Sequence, residues 1–178
     1  DELVVYDVSA THSKKINYSL LEKISKEARM PLCYGGYINS GDSAVSVVSL
    51  GFEKVSISTA ALLNPEVITE ISQRIGTQST IVTLAVKNNL LKNGCCLYAS
   101  NGKKKIHTTL AEMLVLSQEK GAGEIVINTI HRDGTCEGFD MALTKYVFEN
   151  TRIPVSFIGG AGNLSHLKEM VSSFGSQA

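Results

Sequence analysis

Short apolar segments rich in β-branched residues alternate along the chain with longer segments whose apolar residues recur every three or four positions. Within the short segments apolar and polar positions do not alternate, which is typical of parallel strands buried on both faces. The pattern predicts six strands, at Leu3–Val8, Pro31–Tyr34, Lys54–Ser58, Thr80–Val86, Glu124–Thr129 and Pro154–Ile158. It predicts helices at Tyr18–Ala28, Ser43–Leu50, Pro65–Ile75, Leu110–Lys120, Met141–Phe148 and Leu164–Phe174.

This alternation of strands and helices predicts an α/β fold, either an open doubly wound sheet or a (βα)8 barrel. A twofold repeat in the sequence favours the barrel. Each copy opens an apolar strand with an acidic residue, Glu2 or Glu124, and then passes through a helix-length segment to proline, a short strand and two glycines. Because four βα units repeated once make eight, we expect a single barrel domain of residues 1–178, with half-barrels at about 1–78 and 79–178.

The alternation of strand and helix patterns is interrupted once, at residues 88–106. There the turn dipeptides Asn93-Gly94 and Asn101-Gly102 flank the apolar segment Cys95–Ser100. Two such turns around a short strand predict a small hairpin inserted after the fourth strand. The basic run Lys103–Lys105, directly after the second turn, is interpreted as a solvated loop tip.

Composition excludes several classes of function. Seventeen basic and 17 acidic residues cancel, so no net charge attracts the chain to nucleic acid or to a membrane. No apolar run approaches the roughly 18 residues of a membrane span. The four cysteines lack metal-ligand spacing, so we expect reduced thiols in the cytoplasm, and no metal or cofactor.

The glycine pairs Gly35-Gly36 and Gly159-Gly160 are the first candidate for a binding site. Each follows a short predicted strand, and glycine lets backbone amides approach a phosphate closely. Two such pairs in a repeat predict a ligand that carries two phosphates.

Several longer motifs are specific in combination. They are Lys54–Ala61 followed by Asn64-Pro65, Gly121–Ile125, Arg132–Thr135 with Gly138 and Asp140, and Gly159–Gly162. With the hairpin they cover essentially the whole chain, which resembles the cyclase subunit of imidazole glycerol phosphate synthase. The segment Pro31–Gly36 is more similar to cyclase-like proteins of surface-polysaccharide (O-antigen) gene clusters than to the histidine-pathway branch.

The resemblance implies a (βα)8-barrel lyase of histidine biosynthesis. Such an enzyme uses ammonia from a partner glutamine amidotransferase (a glutaminase) to cyclise a ribotide with a phosphate at each end. It implies phosphate contacts at Gly35, Gly36, Ser58 and Thr59 in one half and at Gly134, Gly159 and Gly160 in the other. Asp133 is expected beside the reacting part of the substrate.

The resemblance also implies a ring of charged residues that admits ammonia and docks the partner. Glu2, Lys54 and Glu124 match this ring, and each begins a predicted strand, as residues at the amino-terminal face of a barrel do. Alternatively, these charges only pack the base of the barrel.

Other positions depart from the family pattern. The family's general acid and base are aspartates at the ends of the first and fifth strands. Here the chain begins at the second strand, so the first aspartate is expected to be absent, and Ala85 stands at the second. A methyl group cannot transfer a proton. The last strand is also expected to be missing, which would leave the barrel incomplete at both ends.

Smaller departures lie near the expected phosphate sites. Tyr37 replaces a third glycine, Ser58 an asparagine and His131 an aspartate. His131 is a candidate for acid–base chemistry, although a tolerated polar residue at a strand end is the simpler interpretation. Asp7 either faces the site as a catalytic carboxylate or accepts structural hydrogen bonds. The remaining histidines, His12, His107 and His166, are expected on the surface without a functional constellation.

Three hypotheses therefore stay open. The first is the cyclase. The second, favoured by Ala85, is a non-catalytic relative that delivers ammonia or activates an amidotransferase in surface-polysaccharide sugar biosynthesis. The third is the sister isomerase of the histidine pathway, which needs no ammonia channel; the charged residues Glu2, Lys54 and Glu124 argue against it.

Overall fold

A computed structural model describes residues 2–89 and 94–175. The chain folds as two compact units, Asp1–Val82 with Lys120–Gly123, and Thr83–Glu119 with Glu124–Ala178. Each unit is described by itself below.

The first unit is a parallel sheet with helices between its strands. Strands β1 (Leu3–Tyr6), β2 (Leu32–Gly35), β3 (Lys54–Ile57) and the start of β4 (Thr80–Asn89) pair in that order. In register, Tyr6 pairs with Gly35, Tyr34 with Val55 and Ile57 with Val82. The helices are α1 (Val8–Ser13), α2 (Tyr18–Glu27), α3 (Gly41–Val48), α4 (Thr59–Leu63) and α5 (Glu66–Ile75), and a 3-10 turn, Thr77–Ser79, precedes β4.

The second unit continues from β4 into an antiparallel hairpin and then returns to parallel strands. β5 (Gly94–Ala99) pairs with the end of β4, and β6 (Lys104–Lys105) pairs with β5. Helix α6 (Leu110–Glu119) leads to β7 (Glu124–Thr129), which pairs with β4 and, in parallel, with β8 (Val155–Ile158). Helix α7 (Met141–Asn150) connects β7 to β8, and α8 (Leu164–Phe174) follows β8.

Side-chain caps fix where the helices begin. Asp7, Ser40, Asp140 and Asn163 each accept a hydrogen bond from a backbone amide in the first turn of α1, α3, α7 and α8 respectively. These residues satisfy amides that have no partner inside the helix. The ends of the loops that follow the strands are therefore held at defined positions, and the candidate site residues Gly134, Gly159 and Gly160 lie on two of these loops.

The predicted α/β class of (βα)8-barrel type is confirmed, and every predicted strand and helix is present within a few residues. The hairpin is confirmed, although the Asn93 half of its first turn lies outside the described residues. Lys104 and Lys105 are exposed as expected but lie on β6 rather than at a loop tip. Helices α1 and α4 were not predicted; at six and five residues they are too short for periodicity to reveal.

The half-barrel boundary near residue 78 stays a prediction. All four cysteines are free thiols, as expected. Among the described helices, none combines the length and the apolar character needed to cross a membrane.

Candidate functional site

In the first unit the glycine pair is buried under aromatic side chains. A Cβ atom on Gly35 would lie 2.6 Å from Cδ1 of Tyr6. On Gly36 it would collide with the Tyr34 hydroxyl and lie 2.9 Å from the Asp7 Cβ. Neither glycine has a positive φ. Glycine is therefore required here because side chains pack directly against the backbone, whether or not a phosphate binds.

Asp7 lies beside this pair as the cap of α1. Its Oδ1 accepts from the Ala10 amide at 3.0 Å and from the Ser9 hydroxyl at 2.6 Å, and its Oδ2 accepts from the buried Tyr34 hydroxyl at 3.4 Å. Partial burial raises the pKa of Asp7, but these hydrogen bonds together outweigh it and hold the pKa below its usual value. Asp7 is thus a carboxylate at neutral pH with structural hydrogen bonds, and its catalytic role stays a prediction.

Tyr34 is the hydrogen-bond donor to Asp7 Oδ2. It is fully buried, and its ring meets that of Phe52 edge-on at a centroid distance of 6.0 Å. Burial, followed by the Asp7 carboxylate, raises the pKa of the Tyr34 hydroxyl far above its ordinary value. Tyr34 therefore stays protonated and donates to Asp7.

The other residues expected at the first phosphate lie where α4 begins. Ser58 precedes α4 and makes no side-chain capping bond, and Thr59 is its first residue; both are half-buried. Tyr37 has a φ of 53°, a left-handed conformation that glycine adopts without strain. The backbone at residue 37 thus keeps a shape suited to the glycine that the family pattern predicts there.

The charged residues expected at the ammonia entrance do begin strands. In the first unit Lys54 Nζ lies 2.7 Å from Glu2 Oε2, in an ion pair of which about three quarters is buried. In the second unit Glu124 Oε1 accepts from the Ser156 hydroxyl at 2.7 Å. Each acidic residue of the repeat thus bonds to a side chain of another strand.

In the second unit two loops form the best candidate for a phosphate site. The aspartate loop, residues 130–140, follows β7, and the glycine loop, residues 159–163, follows β8. Gly159 and Gly160 have φ angles of 103° and 94°. A Cβ on Gly160 would overlap the backbone carbonyl group of Gly138, whose amide donates to Gly160 O at 2.7 Å. Here glycine is required by the backbone itself.

Asp133 and Gly134 lie at the exposed turn of the aspartate loop. The Asp133 amide donates to Thr129 O at 3.1 Å, which anchors the turn to the end of β7. Gly134 has a φ of 74° and no atom within 4 Å of the position of a Cβ. The turn therefore leaves open space beside Asp133, as a residue that contacts substrate requires.

His131 pairs with the carboxylate that caps α7. Its Nε2 lies 3.5 Å from Asp140 Oδ2, and the Asp140 side chain is only 10% exposed.

The Cys95 thiol lies in the same unit. Burial, followed by the negative charge of Asp140, raises its pKa, which makes Cys95 a poor nucleophile. Among the described residues no group of three or more potential metal ligands is present.

Ala85 places a methyl group at the carboxyl half of β4, where the family pattern has a carboxylate. The Ile130 amide donates to Val86 O at 3.0 Å, so the end of β7 runs beside this part of β4. Asn128, near that end, has a side-chain oxygen that is buried without a hydrogen-bond partner in the described chain. Sequence reasoning did not single out Asn128, because an unpartnered amide has no sequence signature.

His166 lies at the surface as expected, but it is half-buried and makes a hydrogen bond that was not expected. Its Nδ1 accepts from the Gly162 amide at 3.1 Å. Its partner is a backbone atom four residues earlier, which the sequence pattern could not reveal.

Comparisons with known proteins agree with this geometry. The model of a family described as "Histidine biosynthesis protein" matches residues 1–178. The chain is 39% identical to the putative imidazole glycerol phosphate synthase subunit HisF of Leptospira borgpetersenii, over 98% of this chain and 69% of that protein. It is 38% identical to the imidazole glycerol phosphate synthase subunit HisF of Prosthecochloris aestuarii, over 94% of this chain and 66% of that protein. It is 36% identical to the putative imidazole glycerol phosphate synthase subunit hisF2 of Pseudomonas aeruginosa, over 96% of this chain and 68% of that protein.

Proposed function

Because the chain belongs to the histidine biosynthesis protein family, we propose that it acts as the cyclase subunit of an imidazole glycerol phosphate synthase. The observation that carries this proposal is a sequence identity of 35% to 39% with subunits of that name, over 94% to 98% of this chain. The substrate is a linear ribotide with two phosphates, and the partner is a cytoplasmic glutaminase that supplies ammonia.

The loops of the second unit support the binding part of the proposal. Backbone amides at positive-φ glycines form concave surfaces that favour anions. No hydrogen bond to the amides of Gly134, Gly160 or Ala161 is found within the described ranges, so these donors are available to one phosphate. In the first unit Ser58 and Thr59 are the better candidates for the other phosphate, because Gly35 and Gly36 are covered by aromatic rings.

Turnover of the ribotide tests the proposal. The full chain is incubated with an ammonium salt and the linear bis-phosphorylated ribotide, and the imidazole product is quantified. We expect Asp133→Asn to lower kcat at least about 100-fold, as for a group that moves a proton. Asp42→Asn is the matched control, since Asp42 is exposed and its carboxylate pairs with Arg74 at 2.6 Å. Equal activity of wild type and Asp133→Asn would remove Asp133 from the chemistry.

The ammonia entrance is tested with the glutaminase partner. Lys54→Met removes the ion pair with Glu2. We expect it to lower glutamine-dependent turnover and to leave ammonium-dependent turnover unchanged, because only the former passes ammonia between subunits. An equal fall in both would show that Lys54 only stabilises the fold.

Ala85 favours a second candidate function, in which the chain binds the ribotide and the partner without performing the cyclisation. Ala85→Asp restores the carboxylate at this half-buried position. If wild type binds the ribotide but lacks turnover, and Ala85→Asp gains it, the non-catalytic function is supported. Turnover by wild type excludes it. A pathway of surface-polysaccharide synthesis finds no support in the names of the relatives quoted above.

A further inference from the structure

The glycine loop contacts the aspartate loop at Gly160 and at Gly162. Gly160 O accepts from the Gly138 amide at 2.7 Å. Two residues later, a Cβ on Gly162 would lie 2.6 Å from the Cβ of Cys136, so these backbones are also in close contact. Small shifts of either loop would therefore displace the other.

One side chain touches both loops. His166 lies in the first turn of α8, and its Nδ1 accepts from the Gly162 amide at 3.1 Å. The flat face of its ring lies against Gly138, where a Cβ would be 3.5 Å from the ring carbon Cδ2. The Asn163 side chain already accepts from the amides of Ser165 and His166, so it does not serve the Gly162 amide. His166 supplies that acceptor.

We propose that His166 is a positioning residue, which holds the glycine loop against the aspartate loop so that their free amides converge on one phosphate group. This inference rests on the proposed function, because it concerns the phosphate site of the second unit. Fixing the Gly162 amide on His166 orients the preceding residues, and the amides of Gly160 and Ala161 have no acceptor among the described residues.

Arg132 brings one cation to the aspartate loop, which also carries the carboxylates of Asp133, Glu137 and Asp140. The Arg132 Cβ lies 3.4 Å from the position that a Cβ on Gly160 would occupy, and its guanidinium lies 3.6 Å from Glu137 Oε2. The case for an anion at this place therefore rests on the backbone amides and not on the side-chain charges. The histidine itself contributes through the loop and need not touch the ligand.

Two variants separate the hydrogen bond from the ring contact. His166→Asn retains an oxygen at the same distance from the backbone as Nδ1, whereas His166→Phe retains the ring against Gly138 and loses the acceptor. His107→Asn is the matched control, because His107 is an exposed histidine of the same unit. Each full chain is titrated with inorganic phosphate, and amide exchange at Gly162 is measured separately without phosphate.

We expect His166→Phe to weaken phosphate binding and to speed exchange at Gly162, each about 3- to 10-fold, the range for one hydrogen bond. His166→Asn and His107→Asn should stay within about 2-fold of wild type in both measurements. Thermal melts show whether a variant folds; if His166→Phe does not, His166→Gln replaces it, since its acceptor lies one bond further out.

Unchanged affinity and exchange in His166→Phe, in a chain whose wild type binds phosphate, would overturn the positioning role alone. Equal losses in His166→Phe and His166→Asn would also overturn it, because the acceptor would not be the cause. Absence of phosphate binding by wild type would instead overturn the phosphate site of the proposed function.

Discussion

The two glycine pairs have the same sequence context but different physical reasons for being glycine. Gly36 has ordinary backbone angles and is confined by the Tyr34 hydroxyl and Asp7. Gly160 has a φ of 94° and is confined by the backbone of Gly138. A side chain can be shortened or can rotate away, but a backbone carbonyl in a fixed loop cannot. A shared Gly-Gly motif therefore does not imply a shared function in the two halves.

The acidic residues that open the two copies both bond to side chains of other strands. Glu2 forms an ion pair with Lys54, and Glu124 accepts a hydrogen bond from the Ser156 hydroxyl. Salt screens the ion pair of Glu2 and weakens it. At the glycine pairs, by contrast, the repeat preserves the position in the fold more strictly than the contacts made there.

The largest effect is expected for Gly160→Ala. A positive φ costs an L-residue about 1 to 2 kcal/mol, and the overlap with the Gly138 carbonyl adds to it, so we expect a loss of about 3 kcal/mol in the free energy of unfolding. Urea denaturation measures the loss. Gly134→Ala is the control, because its φ is 74° but its surroundings are open; about 1 kcal/mol is expected. Equal losses would show that the contact with Gly138 is unimportant.

A smaller loss, about 2 kcal/mol, is expected for Gly36→Ala, because the added methyl group collides with a buried side chain. Tyr34→Phe removes the hydroxyl, which is the nearest of the colliding atoms, while the ring carbon that carried it stays 2.7 Å from the position of the added methyl group. In a double-mutant cycle, we therefore expect Gly36→Ala to destabilise the Tyr34→Phe background by about 0.5 kcal/mol less than wild type. Additive losses would mean that the hydroxyl does not confine Gly36.

Asp7→Ala removes the cap of α1, and we expect it to lower the free energy of unfolding by about 1 kcal/mol at pH 7. This is the usual effect of replacing an aspartate cap by alanine. The pKa of Asp7 is lower in the folded chain than in the unfolded chain, so its charge stabilises the fold above the unfolded pKa. That stabilisation is lost as pH falls through the folded pKa. Wild type and Asp7→Ala should therefore approach each other in stability in acid, and a difference that stays constant down to the lowest pH would contradict this.

The smallest effect is expected for Glu2→Gln. This variant removes the charge from a partly buried ion pair, so we expect a loss of about 0.5 kcal/mol in the free energy of unfolding, and a smaller loss at high salt. Unfolding of wild type and variant at low and high sodium chloride measures it. A loss that does not change with salt would contradict an ionic contribution of Glu2.

The apolar pattern predicted the fold well because short, continuously apolar strands are easily distinguished from longer segments whose apolar residues recur every three or four positions. It did not predict α1 and α4. Asp7 could have indicated the start of α1, because aspartate is a common helix cap, but it was interpreted as the end of a strand. Among the candidate site residues, the need for glycine has a backbone cause at Gly134, Gly159 and Gly160, which have positive φ angles, while their contact with phosphate stays a prediction. Tyr37 in a left-handed conformation and His166 bonded to the Gly162 amide depend on neighbours that fold toward them.

We propose that the glycine pair of the second unit lies at a phosphate site, whereas that of the first unit serves packing. The amide spectrum of the full isotope-labelled chain during titration with inorganic phosphate distinguishes the two pairs. We predict saturable shifts at Gly134, Gly159 and Gly160 and none at Gly35 and Gly36. Shifts at Gly35 and Gly36, with Gly159 and Gly160 unaffected, would contradict this difference between the two units.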